Sequence, residues 1–124
     1  MNRTLLVIED NEQNLYMIRF LLEKKGFTVI AATDGKTGIQ KALEHKPDAI
    51  LLDIQLPEMD GYAVARELKS LSEIKDIPII AVTSYAMPGD REKILASGAT
   101  GYIEKPINPD TFIEELQKYL NLIK

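Results

Sequence analysis

The sequence predicts an α/β fold, a doubly wound five-stranded parallel sheet with five alternating helices. Three observations predict it. Five short apolar runs alternate along the chain with five segments in which apolar residues recur at helical spacing. The runs are apolar on both faces, as strands are when helices cover both sides of a parallel sheet. Acidic, hydroxyl and lysine side chains fall just after several of the runs, where open sheets of this kind bind their ligands.

Each element follows from its residues. Residues 4–9 are strand-like and carry Leu5-Leu6-Val7-Ile8; Leu15, Ile18 and Leu22 then recur at helical spacing until Gly26 stops the helix. Phe27 to Ala32 reads as the second strand. Ile39, Ala42 and Leu43 mark a short helix that must end before Pro47. The third strand, Ala49–Asp53, leads into a loop closed by Asp60-Gly61, and Val64, Leu68 and Leu71 line one face of the third helix. Ile77 to Val82 is the fourth strand, entered through Pro78. Asp90 to Ala96 reads as a weaker helix capped by Gly98, and Thr100 to Ile103 as a short fifth strand. Asn108-Pro109 offers an N-cap followed by proline at the first helical position. Phe112, Leu116 and Leu120 run at spacing four along the last helix, whose Phe112–Ile123 stripe reads as core. Tyr119 and Leu122 are candidates for a dimer surface, while Met59 and Met87 read as loop or gap-filling residues.

Size and composition bound the function. The 124 residues suit one domain with a single well-formed core, and no linker, repeat or low-complexity segment breaks the pattern. The expectation is one domain over 1–124, with no output domain and, from Met1 just before the first strand, a free-standing N-terminus. A net charge of −4 and a pI near 5.0 argue against generic nucleic-acid binding. No apolar stretch approaches the roughly 18 residues of a membrane span, and the first strand begins too early to leave room for a signal peptide. The absence of cysteine excludes disulfides, thiolate metal sites and thiol catalysis, and fits a cytoplasmic protein.

The chemistry lies at the strand tips. Asp53 ends a run that is otherwise buried, and Glu9 and Asp10 follow the first run in the same way. Two like charges about 4 Å apart repel by roughly 4 kcal/mol at an effective dielectric near 20, so three acids share a site only with a proton or a cation. Oxygen ligands without His or Cys suit a hard ion, and Mg²⁺ takes one or two carboxylates, waters and a phosphate oxygen. Asp10 and Asp53 are the candidate direct ligands, Glu9 a ligand through water, and the backbone carbonyl of Gln55 a further one. Lys105 brings a mobile charge for Asp53 or a phosphoryl oxygen, and Thr83 a hydroxyl donor. An ionised Asp beside Mg²⁺ can attack phosphorus and form an aspartyl phosphate. Singly, each residue has a plainer reading: Asp10 as a helix N-cap, Lys105-Pro106 as a turn, Thr83 as a strand-end hydroxyl. Their joint order across an alternating pattern favours the site.

The whole chain resembles the response regulator receiver domains of two-component phosphorelay signalling. The resemblance rests on Val-Ile-Glu-Asp-Asn at 7–11, Leu-Leu-Asp-Ile-Gln-Leu-Pro-Glu-Met-Asp-Gly at 51–61, Ile-Ala-Val-Thr-Ser at 80–84 and Gly-Tyr-Ile-Glu-Lys-Pro at 101–106. It implies the flavodoxin-like, receiver type of sheet, with Glu9 and Asp10 as the acid pocket and Mg²⁺ as cofactor. It implies that Asp53 accepts phosphate from a histidine kinase or a histidine phosphotransfer protein, and that Thr83 and Lys105 bind the phosphoryl group. Tyr102 stands where the family has its switch aromatic; phosphate would draw the Thr83 hydroxyl inward and leave space for the ring to turn. A downstream effector would then read the face of the last two helices and the fifth strand. The resemblance also implies a cis peptide between Lys105 and Pro106, a bond favoured only before proline. The run from Thr83 to Lys93 is similar to that of stand-alone cell-differentiation regulators of the DivK type, and of receivers fused to hybrid sensor kinases. Two positions depart from many receivers, Gln55 where Met is frequent and Tyr85 where a small residue is frequent. Pro88 near the start of the fourth helix is tolerable in a first turn.

The leading reading is therefore a signalling phosphoacceptor that catalyses only its own phosphorylation and dephosphorylation, acting as a monomer or weak dimer. A phosphohydrolase with a nucleophilic Asp wants a second acid two residues downstream, where this chain has Gln55. A nucleotide- or flavin-binding domain wants GxGxxG or GxxxxGK[ST], and the chain has neither. An unphosphorylated scaffold is disfavoured because all five expected site positions carry suitable residues. His45 reads as a solvated side chain at a helix end.

Overall fold

The structure, a computed structural model, describes residues 3–56, 60–84 and 88–121. Its elements alternate throughout: β1 (Thr4–Ile8), α1 (Glu12–Lys24), β2 (Thr28–Ala32), α2 (Gly35–His45), β3 (Ala49–Asp53), α3 (Gly61–Ser70), β4 (Ile79–Thr83), α4 (Pro88–Ala96), β5 (Gly101–Glu104) and α5 (Phe112–Asn121). The strands form one parallel sheet in the order β2-β1-β3-β4-β5. The predicted fold class is the one observed.

Alternation within each strand divides the core into two layers. Leu6, Ile8, Ile50, Leu52, Ile79 and Ala81 face Ile39 and Ala42 of α2, Val64 and Leu68 of α3, and Ile94 of α4. Leu5, Val7, Leu51, Ile80 and Val82 face Ile18 and Leu22 of α1 and Phe112, Leu116 and Leu120 of α5. Every residue of β3 and β4 is buried, which is why these strands read as continuous apolar runs.

The chain leaves β1 for β2 on one side, then returns to β3 on the other. That reversal opens a crevice at the carboxyl ends of β1 and β3, where Glu9 and Asp53 lie. Backbone bonds continue past the strand ends and hold these tips in place: Glu9 N to Ala32 O at 3.0 Å, Ile54 N to Val82 O at 3.1 Å, and Lys105 N to Thr83 O at 2.8 Å.

Helix ends follow the expected chemistry, with some shifts. Gly26 and Gly98 take φ of 94° and 105° after α1 and α4. Lys46, at φ 45°, turns the chain out of α2 before Pro47. α4 begins at Pro88, two residues before the predicted start. At the last helix Asn108 makes the predicted capping bonds, but the regular helix starts later than Pro109. Asn108 Oδ1 accepts from Asp110 N at 2.9 Å and its carbonyl from Thr111 N and Phe112 N, so a tight turn precedes a regular helix that starts at Phe112. β4 runs from Ile79 to Thr83 rather than from Ile77 to Val82, because Ile77 closes a turn on Ile74 O and Thr83 still pairs with Glu104. The Lys105–Pro106 peptide is cis. Met59, Tyr85, Met87, Leu122 and Ile123 lie outside the described residues, as does the side chain of Pro88.

Candidate functional site

Three carboxylates meet at the crevice. Glu9 is the first residue after β1 and is 1% exposed; Asp53 ends β3 and is 2% exposed. Asp10 is exposed at the rim, and one carboxylate oxygen from each of the three lies within 4.8 Å of the others. Asp10 is not the cap of α1. Asn11 is, its Oδ1 accepting from Asn14 N at 2.9 Å, which leaves the Asp10 carboxylate to the cluster.

Lys105 answers part of this charge. Its Nζ is 3.2 Å from Glu9 Oε1 and 3.3 Å from Asp53 Oδ2, with the side chain 15% exposed. One ammonium against three acids leaves the pocket negative. The Glu9 carboxyl responds by rising from its ordinary 4.5 to about 7. Burial is the largest cause, followed by hydrogen bonding to Asp53 and the Asp53 charge. The Asn11 N–H, 3.2 Å from Glu9 Oε2, and the Lys105 charge oppose the rise. As carboxylates, Glu9 and Asp53 offer each other only acceptors, and Glu9 Oε1 has no hydrogen bond beyond its ion-pair contact. A buried carboxylate oxygen whose ion-pair partner is an ammonium shared with Asp53, in an all-oxygen acidic set, fits a hard divalent cation such as Mg²⁺.

The remaining predicted residues ring the acids. Thr83 is fully buried at the tip of β4, one register position past Val82, the partner of Asp53. Its carbonyl receives Lys105 N, which ties β4 to the residue carrying the ammonium. Gln55 donates its backbone N–H to Asp53 Oδ1 at 2.9 Å, and its side-chain Oε1 accepts from Ser84 Oγ at 2.7 Å. Tyr102 stands outside the acid cluster, on the same face of the sheet as Thr83 and two register positions away. Its ring is half-buried beneath the Arg91 guanidinium, 5.5 Å from the ring centroid.

Sequence reasoning missed four partners of this site. Ser84, Arg91 and Tyr119 act through contacts between distant elements, for which a linear pattern holds no signal. Asn11 had one, since an Asn just before a helical run is a strong N-cap. Tyr119, a candidate for a dimer surface, packs its ring on Gly101 and donates its hydroxyl to the Tyr102 carbonyl at 3.0 Å. It anchors α5 to β5. His45 is exposed at the end of α2, as predicted.

A doubly wound parallel domain with an acid pocket and a lysine at its switch point is the class that fold and site define. The chain belongs to the response regulator receiver domain family, whose sequence model matches residues 5–117. It is 44% identical over 120 residues to the polar-differentiation response regulator DivK of Brucella anthropi, covering 97% of this chain and 98% of that protein. Among solved structures it is similar to the chemotaxis response regulator CheY4 of Vibrio cholerae, at a TM-score of 0.91 and 29% identity over 96% of this chain and 99% of that one. It is also similar to the receiver domain of a sensor histidine kinase from Pseudomonas aeruginosa, at a TM-score of 0.87 and 34% identity over 98% and 99%. That structure holds a magnesium ion coordinated in its active-site cleft. The protein is a receiver domain of two-component signalling, with a phosphoacceptor function. Receiver domains in general interact with histidine kinases and effectors. Among the described residues, no helix is long and apolar enough to cross a membrane.

Proposed function

We propose that Asp53 is the phosphoacceptor of this chain and that a histidine kinase or histidine phosphotransfer protein is its donor. The observation that carries this reading is the pairing of two buried carboxylates, Glu9 and Asp53, on the one Lys105 ammonium, with Asp10 beside them. An Asp53 oxygen attacks phosphorus, a P–O bond forms as the P–N bond to the donor histidine breaks, and the leaving imidazole nitrogen takes up a proton. Water later attacks the aspartyl phosphate, returning the carboxylate and inorganic phosphate. Lys105 balances charge on the transferring group, and Thr83 supplies a hydroxyl to a phosphoryl oxygen. Asp10, Asp53 and the Gln55 backbone carbonyl would hold Mg²⁺, and Glu9 would act on it through water. The bound ion supplies positive charge where the phosphoryl oxygens gather.

The domain catalyses only these two steps on itself. It spans 1–124 as one receiver, works in the cytoplasm and switches the binding of an effector at the α4–β5–α5 face, with Thr83 and Tyr102 as the switch pair. The test is the intact mass of the protein after incubation with Mg²⁺ and a small acyl phosphate, beside Asp53→Asn. A phosphoryl adduct that needs Mg²⁺, is cleaved by hydroxylamine and is missing from the variant supports the reading. An adduct of equal yield in the variant overturns it.

A further inference from the structure

The tip of β3 and the residues after β4 are joined by one side chain. Gln55 Oε1 accepts from Ser84 Oγ at 2.7 Å and from Ser84 N at 3.3 Å. Two donors converging on one atom fix the amide orientation, with its oxygen toward Ser84. The same residue's backbone N–H donates to Asp53 Oδ1 at 2.9 Å, while Lys105 lies 3.3 Å from Asp53 Oδ2. The carboxylate is thus gripped at both oxygens. Ser84 directly follows Thr83, whose carbonyl receives Lys105 N at 2.8 Å. A continuous line of contacts therefore runs from Asp53 through residue 55 to Ser84, Thr83 and Lys105. Gln55 and Ser84 are both exposed, so core packing does not account for the contact between them.

We propose that Gln55 is a positioning residue for phosphoryl transfer to Asp53. Its side chain latches the segment after β3 to Ser84, and this holds the residue-55 N–H on Asp53 Oδ1 while keeping Thr83 beside the carboxylate. The proposal rests on the reading of Asp53 as phosphoacceptor. In-line attack on phosphorus needs the nucleophilic oxygen held close to its reactive direction, and small misplacements are costly in rate. Lys105 alone is a point charge on a flexible stem and sets distance better than direction. The N–H of residue 55 sets direction, provided that its own peptide is held. Gln55 and Ser84 hold it from 29 residues apart.

The experiment measures phosphorylation by a small acyl phosphate in Mg²⁺ over a range of donor concentrations. The proteins are wild type, Gln55→Met, Ser84→Ala, the double variant and Ser84→Thr. Met keeps the length of Gln and the backbone carbonyl but lacks the amide oxygen. Each single variant is expected to lower the maximal rate about three- to tenfold, the range that loss of one hydrogen bond allows. The half-saturating donor concentration stays unchanged. The double variant falls no further than the slower single one, since both remove the same contact. Ser84→Thr, which keeps the hydroxyl donor, recovers the rate. Single variants at the wild-type rate, losses that multiply in the double variant, or Ser84→Thr as slow as Ser84→Ala overturn the latch. So does a loss of rate that tracks a fall in melting temperature. An adduct on Asp53 in wild type upholds the function reading whichever way the latch falls; its absence from wild type overturns both.

Discussion

Glu9 and Asp53 are carboxylates at 1% and 2% exposure, a placement that costs several kcal/mol per ion unless each is paired. Lys105 serves both, and Glu9 takes the rest of the strain by holding a proton. Its carboxyl is raised from 4.5 to about 7, so the folded chain keeps a proton that the unfolded chain releases. The stability that this proton contributes is complete below about 4.5 and is lost as pH climbs through 7. In a chelator, the melting temperature of wild type should therefore fall between pH 5 and pH 8 relative to Glu9→Gln, whose amide does not titrate. Mg²⁺ added at pH 8 should recover part of the difference, because a cation replaces the proton. Parallel pH curves for the two proteins would show that Glu9 does not carry the proton.

At the scale of the element, caps and close approaches set where each functional side chain stands. Asn11 caps α1 just after the Glu9–Asp10 pair, and Asn11→Ala should cost about 1 kcal/mol in urea unfolding. Gly61 starts α3 against the tip of β3. A Cβ there would meet the Ile54 Cα and would lie 2.6 Å from the Asp53 carbonyl oxygen. Gly61→Ala should thus destabilise by about 1–3 kcal/mol, and it should slow phosphorylation as well, because the clash displaces the backbone that carries Asp53, the proposed acceptor. Unchanged stability with unchanged phosphorylation would mean that this approach has slack. The sequence carried the elements well where apolar runs and glycine stops mark them, as in β3 and at Gly26. It carried the last helix less well, because a cap at Asn108 does not reveal that a tight turn intervenes before Phe112. β4 was misplaced by its ends because Ile77 is apolar but turned, and Thr83 polar but paired.

The whole molecule is one sheet between two apolar layers, and its strand order puts the tips of β1 and β3 together. Carboxylates at the ends of apolar runs made Glu9, Asp10 and Asp53 legible, since an acid there stands at a strand tip and not within the packed span of the sheet. Thr83 and Lys105 were legible only with their neighbours in the motif. The contacts of Gln55 with Ser84, and of Tyr102 with Arg91 and Tyr119, were not legible, because they join residues by tertiary geometry and not by spacing. Tyr102 lies under Arg91 of α4 while Tyr119 of α5 holds its backbone carbonyl, so a ring that turns would break its contact with α4 and leave β5 tied to α5. Hydrogen exchange with and without beryllofluoride should differ in peptides covering Thr83–Ala96 and Tyr102, and remain alike across β1, β3 and α2. Equal protection in both states would remove the switch from this face. The proposed phosphoacceptor is one atom group, the Asp53 carboxylate, and borohydride reduction of the phosphorylated protein followed by peptide mapping would locate it. An aspartyl phosphate is reduced to homoserine, which should be found at position 53 and only in the sample given both Mg²⁺ and the phosphoryl donor. Homoserine at position 10 instead, or an adduct that survives reduction on Thr83 or Ser84, would contradict the account.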